Sequence, residues 1–384
     1  MTFRPAPPRS PIASPVAALS RRGFLGATLA TGAIGVLGAC GLQQDEPKAQ
    51  APTSFPPIEE ESGKLRVMDF AGTDDENLWS PYGNYPKPDW TFTTGDVDVL
   101  AKVRAGATAD VAVVYGIVET LRDMDALLPW DTSLLSNFDD LVPSFVENGQ
   151  FDGDQYLIPT QWGFESAIYR PDIVGTADSY EILFDDQYRG GIAWLDNPLV
   201  IPSIAGQVNG VEDPFAMTYE ELSTVEEFLR AKKKNVMMLW TSSTDVEAAY
   251  NSGELQVAHA WPSSFAIVTQ SGKQPAEYLQ AAEGTQAWSG GYVLFKDTDQ
   301  YHHAHEFVNA AISKPAQQWA LENWYQGSTN STIDTSKVDP VLVDAFLLDD
   351  PAKLEPPAIL PQPKTITEET YQRYGAMWDR VKAS

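Results

Sequence analysis

Residues 110–115 read DVAVVY, a short apolar run that begins with an aspartate. The run is too short for a helix, and valines pack well on a pleated sheet, so it predicts a buried strand. Residues 64–70 (KLRVMDF) have the same character, and both runs are followed by turn-prone polar residues and then by helix-like sequence. This order of strand, turn and helix predicts an α/β fold with largely parallel sheets.

The alternation of strand and helix continues along the chain. Helical patterns occupy residues 220–234 and 244–252, and the C-terminal part is helical at 302–326, with a break at Pro315, and at 368–382. Further strands are predicted at residues 166–169, 191–195, 236–240, 255–261 and 291–295.

The first 39 residues predict an export signal. Arg21 and Arg22 precede residues 23–39, which carry no charge and, at about 1.5 Å per residue, are short for a bilayer crossing. The paired arginines resemble the twin-arginine signal with which bacteria export folded proteins. The sequence LGAC at residues 37–40 resembles a lipobox, so Cys40, the single cysteine, would become a lipidated N-terminus. The alternative is an ordinary secretory signal that contains a thiol.

A polar segment rich in proline, glutamine and glutamate follows the predicted lipidation site. Residues 40–62 offer little that could pack in a core, which is typical of a flexible tether. About 320 residues remain after Ser62, which is long for one hydrophobic core. We therefore expect two lobes joined by crossing strands.

The chain is strongly acidic. Without the first 39 residues, which hold four arginines and no acidic residue, 22 basic residues oppose 53 acidic ones, a formal net charge of −31. Such a surface repels phosphate backbones and anionic lipid head groups. Nucleic acid is therefore a poor partner, and the membrane would be reached through the lipid on Cys40.

Motifs for catalysis and metal binding are sparse. The sequence has no G-x-S-x-G elbow, P-loop, G-x-G-x-x-G or H-E-x-x-H motif. Residues 301–306 (YHHAHE) hold three of the four histidines, but their spacing matches no established ligand set, which favours a solvated helix start over a metal site. The acidic turns at 74–76 and 152–154 lack the spacing of a calcium loop. We expect a protein without cofactor or catalytic activity.

Three tryptophans lie beside turns: Trp162, Trp261 and Trp288 each end an apolar run or adjoin glycine or proline. Ligands of open α/β sheets bind at the carboxyl ends of strands, where loops converge. Any one of the three could instead fill a core. Three in similar settings favour a shared cleft.

With these features the chain resembles the extracytoplasmic solute-binding receptors of ABC transporters, of the spermidine/putrescine type. The similarity extends over most of the chain and rests on the order and spacing of six segments. The similar segments are RVMDFAG (66–72), LAKVRAGATADVAVV (100–114), VETLRDMDALLPWDTSLLSNFDDL (118–141), QYLIPTQWGFESAIYRPD (155–172), YNSGELQVAHAWPSSFA (250–266) and KPAQQWALENWYQGSTN (314–330).

The resemblance implies the type II periplasmic-binding-protein fold, in which two α/β lobes close on one solute by hinge bending. Each lobe would hold a mixed, mostly parallel sheet flanked by helices. Residues 63–165 with 290–384 would form lobe 1, and residues 166–289 lobe 2. The closed form, a monomer, would dock on a membrane permease that an ATPase drives.

The resemblance also implies ligand contacts. Trp261 and Trp288 match positions whose aromatic faces line the ligand channel. Tyr115 falls in the loop after the second strand, and Gln326 in the late loop where the family places another contact.

Polyamine-binding members supply carboxylates for the ammonium groups of the ligand. The matching positions here hold Asn197, Val200 and Gly290, all uncharged. The candidate substitutes are Asp196, beside the first of them, and Asp74 and Asp75, after the first strand.

Two kinds of solute therefore stay open. The family and the tryptophan faces favour a polyamine or another organic cation. The lost carboxylates, with Lys364 expected near the cleft, favour an anionic or zwitterionic solute. An enzyme on the same scaffold, or a structural or adhesion lipoprotein, is a further alternative.

Overall fold

The computed structural model describes residues 58–83, 85–349, 354 and 358–384. The predicted signal peptide, Cys40 and most of the predicted tether lie outside these residues. The strands are β1 (Arg66–Phe70), β2 (Asp89–Thr93), β3 (Val111–Val114), β4 (Leu127–Leu128), β5 (Gln150–Phe151), β6 (Asp154–Gln155), β7 (Ile158–Tyr169), β8 (Ile192–Leu195), β9 (Val236–Trp240), β10 (Val257–Ala260), β11 (Glu277–Tyr278), β12 (Thr285–Phe295) and β13 (Ile359–Pro361). The helices are α1 (Asp96–Arg104), α2 (Val118–Asp123), α3 (Pro143–Asn148), α4 (Pro171–Val174), α5 (Val200–Val208), α6 (Tyr219–Lys232), α7 (Ser243–Ser252), α8 (Pro262–Ser271), α9 (Tyr301–Ala311), α10 (Lys314–Trp324), α11 (Pro340–Ala345) and α12 (Glu368–Lys382).

One large mixed sheet organises the described part of the chain. Its strands follow the order β2-β1-β3-β12-β7-β10-β8-β9, and β4, β11 and β13 pair beside this path. The strands at each end run parallel, β2-β1-β3 at one end and β10-β8-β9 at the other. The two long strands β7 and β12 pair antiparallel in the middle and join these ends. The predicted α/β class is confirmed, and the parallel pairing lies at the two ends of the sheet.

Local sequence accounts for where several helices begin. α6 starts with a capping box, in which the Thr218 hydroxyl accepts from the Glu221 backbone and the Glu221 carboxylate accepts from the Thr218 backbone. Pro315, expected to break a long helix, lies in the first turn of α10, where its missing N–H costs nothing. α12 has the predicted bounds, and its N-terminus is capped by Thr367.

The C-terminal helix α12 packs on α6. Tyr374 is fully buried, and its hydroxyl accepts from the Met217 backbone N–H at 3.0 Å and donates to the Pro214 carbonyl at 2.9 Å. Arg380 forms an ion pair with Glu226 at 2.7 Å. These contacts join a helix of the range expected in lobe 1 to a helix of the range expected in lobe 2. The lobe boundaries themselves stay a prediction.

The histidines at the start of α9 do not form the solvated helix start that was expected. His303 is 6% exposed and His305 is 1% exposed. The ring of His305 accepts from the Asp131 backbone N–H at 3.1 Å through Nε2, and its Nδ1 lies 2.8 Å from the Tyr301 carbonyl oxygen. No group of three or more His, Cys, Asp or Glu side chains in the described ranges could hold a metal ion. The motif is therefore part of the packing of α9, because its rings fill buried space.

Long apolar helices are absent from the described ranges: no helix there has both the length and the apolar character needed to cross a bilayer.

Candidate ligand-binding site

A cleft of about 730 Å³ lies where the carboxyl ends of the parallel strands meet. Phe70 ends β1, Tyr115 follows β3, Asp196 follows β8, Thr241 follows β9 and Trp261 follows β10, and all five line the cleft. Within each of the two parallel groups the carboxyl ends lie on one edge, which is where open α/β sheets bind ligands. The cleft volume lies within the range of sites for small molecules.

Seven of the eight predicted contact residues line this cleft. They are Tyr115, Trp162, Asp196, Asn197, Trp261, Trp288 and Gln326. Asp74 does not line it, although its neighbour Thr73 does. The next carboxylate, Asp75, is used in a local turn, where it accepts from the Asn77 backbone N–H at 3.0 Å.

An aromatic wall runs along one side of the cleft. The ring of Tyr115 lies 5.7 Å from the ring of Trp288 and 6.2 Å from that of Phe70, both edge to face. Gln161 donates to the Tyr115 hydroxyl at 2.7 Å, which fixes the ring. Trp288 packs on Gly163 of the neighbouring strand, where any Cβ would lie 2.6 Å from the indole. The glycine is therefore required for the indole to lie against β7.

Trp162 contributes less to the cleft than the prediction implies. It is 2% exposed, stacks on Phe145 with ring centroids 5.5 Å apart, and donates through Nε1 to the Ser328 carbonyl at 2.8 Å. A Cβ at Gly327 would lie 2.5 Å from its ring. Trp162 is thus chiefly a core residue whose edge reaches the cleft.

Trp261 is held at the cleft by a carboxylate. It follows β10 and precedes Pro262, the first residue of α8. Its indole Nε1 donates to Glu165 Oε2 at 3.0 Å, and its ring meets that of Trp240 edge to face at 5.0 Å. The Nε2 atom of the fully buried His259 lies 2.9 Å from the same carboxylate oxygen. Glu165, in the middle of β7, therefore has Oε2 fixed by the indole N–H, and the imidazole lies beside it without the geometry of a hydrogen bond.

Other carboxylates on the cleft are engaged by the protein. The Asp96 carboxylate accepts from the backbone N–H of Tyr115 at 3.0 Å and of Gly116 at 2.8 Å. Burial raises its pKa to about 6, against the opposing effect of these two hydrogen bonds. Asp98 pairs with Lys102 at 2.5 Å, and this hydrogen bond lowers the pKa of Asp98.

Asp196, predicted as a ligand carboxylate, is tied to α12. Its Oδ1 accepts from Trp378 Nε1 at 2.7 Å and lies 3.2 Å from Lys382 Nζ. Asn197, beside it, is used at the start of α5, where its Oδ1 accepts from the backbone N–H of Leu199 at 2.8 Å and of Val200 at 3.2 Å. The Asp196 charge is thus compensated within the protein.

At the third position expected to be acidic, Gly290 leaves no room for a side chain. A Cβ there would lie 2.4 Å from Tyr115 Cε1, closer than real Cβ atoms approach. An acidic residue at this position would therefore displace the aromatic wall. Val200 lines the cleft and offers no charge.

The charged side chains that line the cleft are all acidic. The described residues that line it include Asp96, Asp98, Glu165 and Asp196, and none of them is a lysine, arginine or histidine. Lys364, expected near the cleft, borders a separate cavity of about 10 Å³ and donates to the Glu147 and Gln150 carbonyls. That cavity shares Tyr115 and Gln362 with the cleft, so Lys364 lies near the cleft as expected but does not line it.

Sequence reasoning missed Glu165 and Trp324. Trp324, at the end of α10, lines the cleft and packs on Gly72, where a Cβ would lie 2.9 Å from its Cη2. The signal for Glu165 was present, because a lone carboxylate in the otherwise apolar run WGFESAIY is costly unless it is paired or used. Trp324 gave no such signal, since its place depends on how α10 packs.

The sheet order and a cleft at the strand ends define a binding protein of the two-lobed α/β class. Residues 82–340 match the family described as bacterial extracellular solute-binding protein, and the chain belongs to this family. An extracytoplasmic location agrees with that description.

Solved structures share the fold at low sequence identity. The spermidine/putrescine ABC transporter substrate-binding protein PotD from Streptococcus pneumoniae is 15% identical, with a TM-score of 0.69 over 84% of this chain and 99% of its own. The Tp0655 (TpPotD) lipoprotein of Treponema pallidum is 14% identical, with a TM-score of 0.67 over 83% and 99%. MotA from A. tumefaciens, bound to glucopine, is 15% identical, with a TM-score of 0.64 over 83% and 100%. The predicted periplasmic-binding-protein fold is confirmed.

Proposed function

We propose that this chain is the substrate-binding component of an ABC importer, that it captures a small organic cation in the cleft, and that it delivers this solute to a membrane permease. One observation carries the choice of a cation: carboxylates and aromatic faces line the cleft, and its described lining has no basic side chain. Carboxylates attract a cation by charge, and aromatic faces attract it through the ring quadrupole.

Polyamines are candidate solutes, because two of the similar structures carry spermidine/putrescine or PotD names. An anionic or zwitterionic solute is the second candidate, and glucopine bound to MotA shows that the fold is compatible with other cargoes. The absence of Lys364 from the described cleft lining weakens this second candidate.

Attachment to the membrane and the absence of catalysis complete the proposal. The twin-arginine and lipobox sequences support a lipid on Cys40, which would hold the receptor near its permease. The family and the fold are those of solute-binding proteins, which supports binding without turnover. Chemical change of a bound compound would contradict this part.

A thermal-shift screen of the purified chain tests the proposal. A ligand present at about a hundred times its dissociation constant adds about 2.7 kcal/mol to the free energy of unfolding, which raises the midpoint visibly. We expect a shift with organic cations and none with organic anions of similar size. A shift with anions alone would overturn the choice of a cation.

A further inference from the structure

The carboxylates of the cleft differ in how much of their charge is left for a ligand. Asp96 uses both oxygens for backbone N–H groups, Asp98 pairs with Lys102, and Asp196 lies beside Lys382. Glu165 has no lysine or arginine partner among the described residues. Asp96 also lacks a basic partner there, but both of its oxygens accept from backbone N–H groups, so Glu165 is the cleft carboxylate that has neither a lysine or arginine partner nor both oxygens in hydrogen bonds.

The hydrogen bonding of Glu165 leaves one oxygen available. Oε2 accepts from Trp261 and lies beside His259, whereas Oε1 has no hydrogen-bond partner in the described part of the chain. The Glu165 side chain is 14% exposed, and the residue lines the cleft. A carboxylate that is fixed through one oxygen and open at the other is prepared to receive a charged donor.

Two indoles lie near this carboxylate. Trp261 is bonded to it directly, and Trp288 packs on Gly163, two residues before Glu165 in β7. Residues two apart in a strand share a face and lie roughly 7 Å apart. A compact cationic head beside Glu165 therefore lies within reach of both indoles, as in sites for ammonium groups.

Building on the proposed function, we propose that Glu165 is the counter-ion for the head group of the solute, and that this solute carries a single cationic group. A second ammonium would require a second uncompensated carboxylate. Of the other carboxylates that line the cleft, Asp98 and Asp196 lie beside lysines and Asp96 accepts from two backbone N–H groups, and a buried ammonium without an acceptor is strongly disfavoured. The site therefore favours primary or quaternary monoamines over linear diamines.

Calorimetry with the purified chain tests this assignment, with n-butylamine, choline and putrescine as probes. Butylamine and putrescine share a four-carbon chain and differ in one ammonium, so their comparison isolates the second charge. We expect choline or butylamine to bind more tightly than putrescine. We expect Glu165→Gln to weaken that binding about tenfold or more, because the charge is lost while an oxygen remains for Trp261.

A matched control removes one negative charge away from the cleft. Asp299→Asn affects a side chain that is 76% exposed and leaves Arg66 paired with Asp110, so affinity should stay within about twofold. Equal binding by Glu165→Gln and wild type would remove Glu165 from the site. If the wild-type protein binds putrescine more tightly than butylamine and choline, the proposal of a single cationic group is wrong, whereas the proposal of a cation receptor is not. This comparison uses only the wild-type protein, so it does not depend on the folding of a variant. If none of the three cations binds and an organic anion binds instead, both proposals are wrong.

Discussion

Trp261 Nε1 and Glu165 Oε2 are joined by a 3.0 Å hydrogen bond that links the end of β10 to the middle of β7. The indole is thus oriented by a carboxylate of a different strand, and the carboxylate is oriented by the indole. An aromatic face and a negative charge are presented to the cleft as one unit. Changing either residue is therefore expected to disturb the other.

Substitution of Trp261 separates the contribution of its ring from that of its N–H. We expect Trp261→Ala to weaken binding of the organic cation more than about tenfold, because both the ring face and the bond to Glu165 are lost. Trp261→Phe keeps a ring and should show a smaller loss. Calorimetry gives both affinities, and thermal unfolding of the empty proteins controls for folding. Identical affinities of Trp261→Ala and wild type would place the indole outside the binding site.

A side chain added at Gly290 would meet a different neighbour from one added at Gly291, which gives a paired test of the aromatic wall. A Cβ at Gly290 meets the Tyr115 ring at 2.4 Å, and one at Gly291 meets the Ile158 carbonyl oxygen at 2.0 Å. A ring can rotate away and a paired backbone cannot, so Gly291→Ala should be the more destabilising. We expect Gly290→Ala to cost about 1–3 kcal/mol in urea unfolding.

The Gly290 effect should depend on Tyr115. Adding Gly290→Ala to a Tyr115→Ala background removes the clash, so the second substitution should cost little there. Additive losses in this double-mutant cycle would show that the ring is not the obstacle.

His305 predicts a pH dependence of stability. Burial lowers its pKa from 6.5 to about 4, so the folded protein keeps the ring neutral where the unfolded chain takes up a proton. Its contribution to the free energy of unfolding is full above about pH 6.5 and is lost as the pH falls towards 4. The stability difference between wild type and His305→Gln should therefore shrink by about 2 kcal/mol from pH 7.5 to pH 5.

Two buried acids change the stability with pH in the opposite direction to His305. Burial raises the pKa of Asp69 and of Asp96 to about 6, which lowers stability as the pH rises from about 4 to 6. Both are present in wild type and in His305→Gln, so the difference between the two proteins isolates the histidine. A difference that is constant with pH would contradict the neutral buried ring.

The Tyr374 hydroxyl is expected to hold α12 on its neighbours. Tyr374→Phe leaves the buried Met217 N–H and Pro214 carbonyl without this partner, which should cost about 1–3 kcal/mol. Tyr219→Phe is the matched control, because Tyr219 is 72% exposed and stacks on Arg373 through its ring. Urea unfolding of both variants gives the comparison. Equal free energies of unfolding for Tyr374→Phe and Tyr219→Phe would mean that the Tyr374 hydroxyl contributes little to the docking of α12.

Much of the fold could be predicted because its signals are local. α12 has the predicted bounds, since the residues of its pattern and its Thr367 cap are close in sequence. The two crossing strands were predicted too short, at residues 166–169 and 291–295, whereas they extend over Ile158–Tyr169 and Thr285–Phe295. Pro159 and Gly163 interrupt the first run, and Gly290 and Gly291 the second. The strands extend because each pairs with the other across more than a hundred residues of sequence.

The candidate site shows the same division between local and distant information. The tryptophans were identifiable because they adjoin strand ends. The use of Asp196 by Trp378 and Lys382 was not, since these partners belong to a helix almost two hundred residues later. Glu165 was missed for a related reason: its partners Trp261 and His259 meet it only once β10 pairs with β7.

The position of β12 in the sheet also bears on how this protein is made. β12 lies between β3 and β7, although a ribosome completes both of those strands long before it reaches residue 295. During synthesis the two unpaired edges are exposed, and such edges invite pairing with other chains. The sheet can close only when most of the polypeptide has left the ribosome, so the nascent chain has a late and non-local final step. A chaperone that shields these edges until β12 arrives would raise the yield of folded protein more than one that acts on the finished chain.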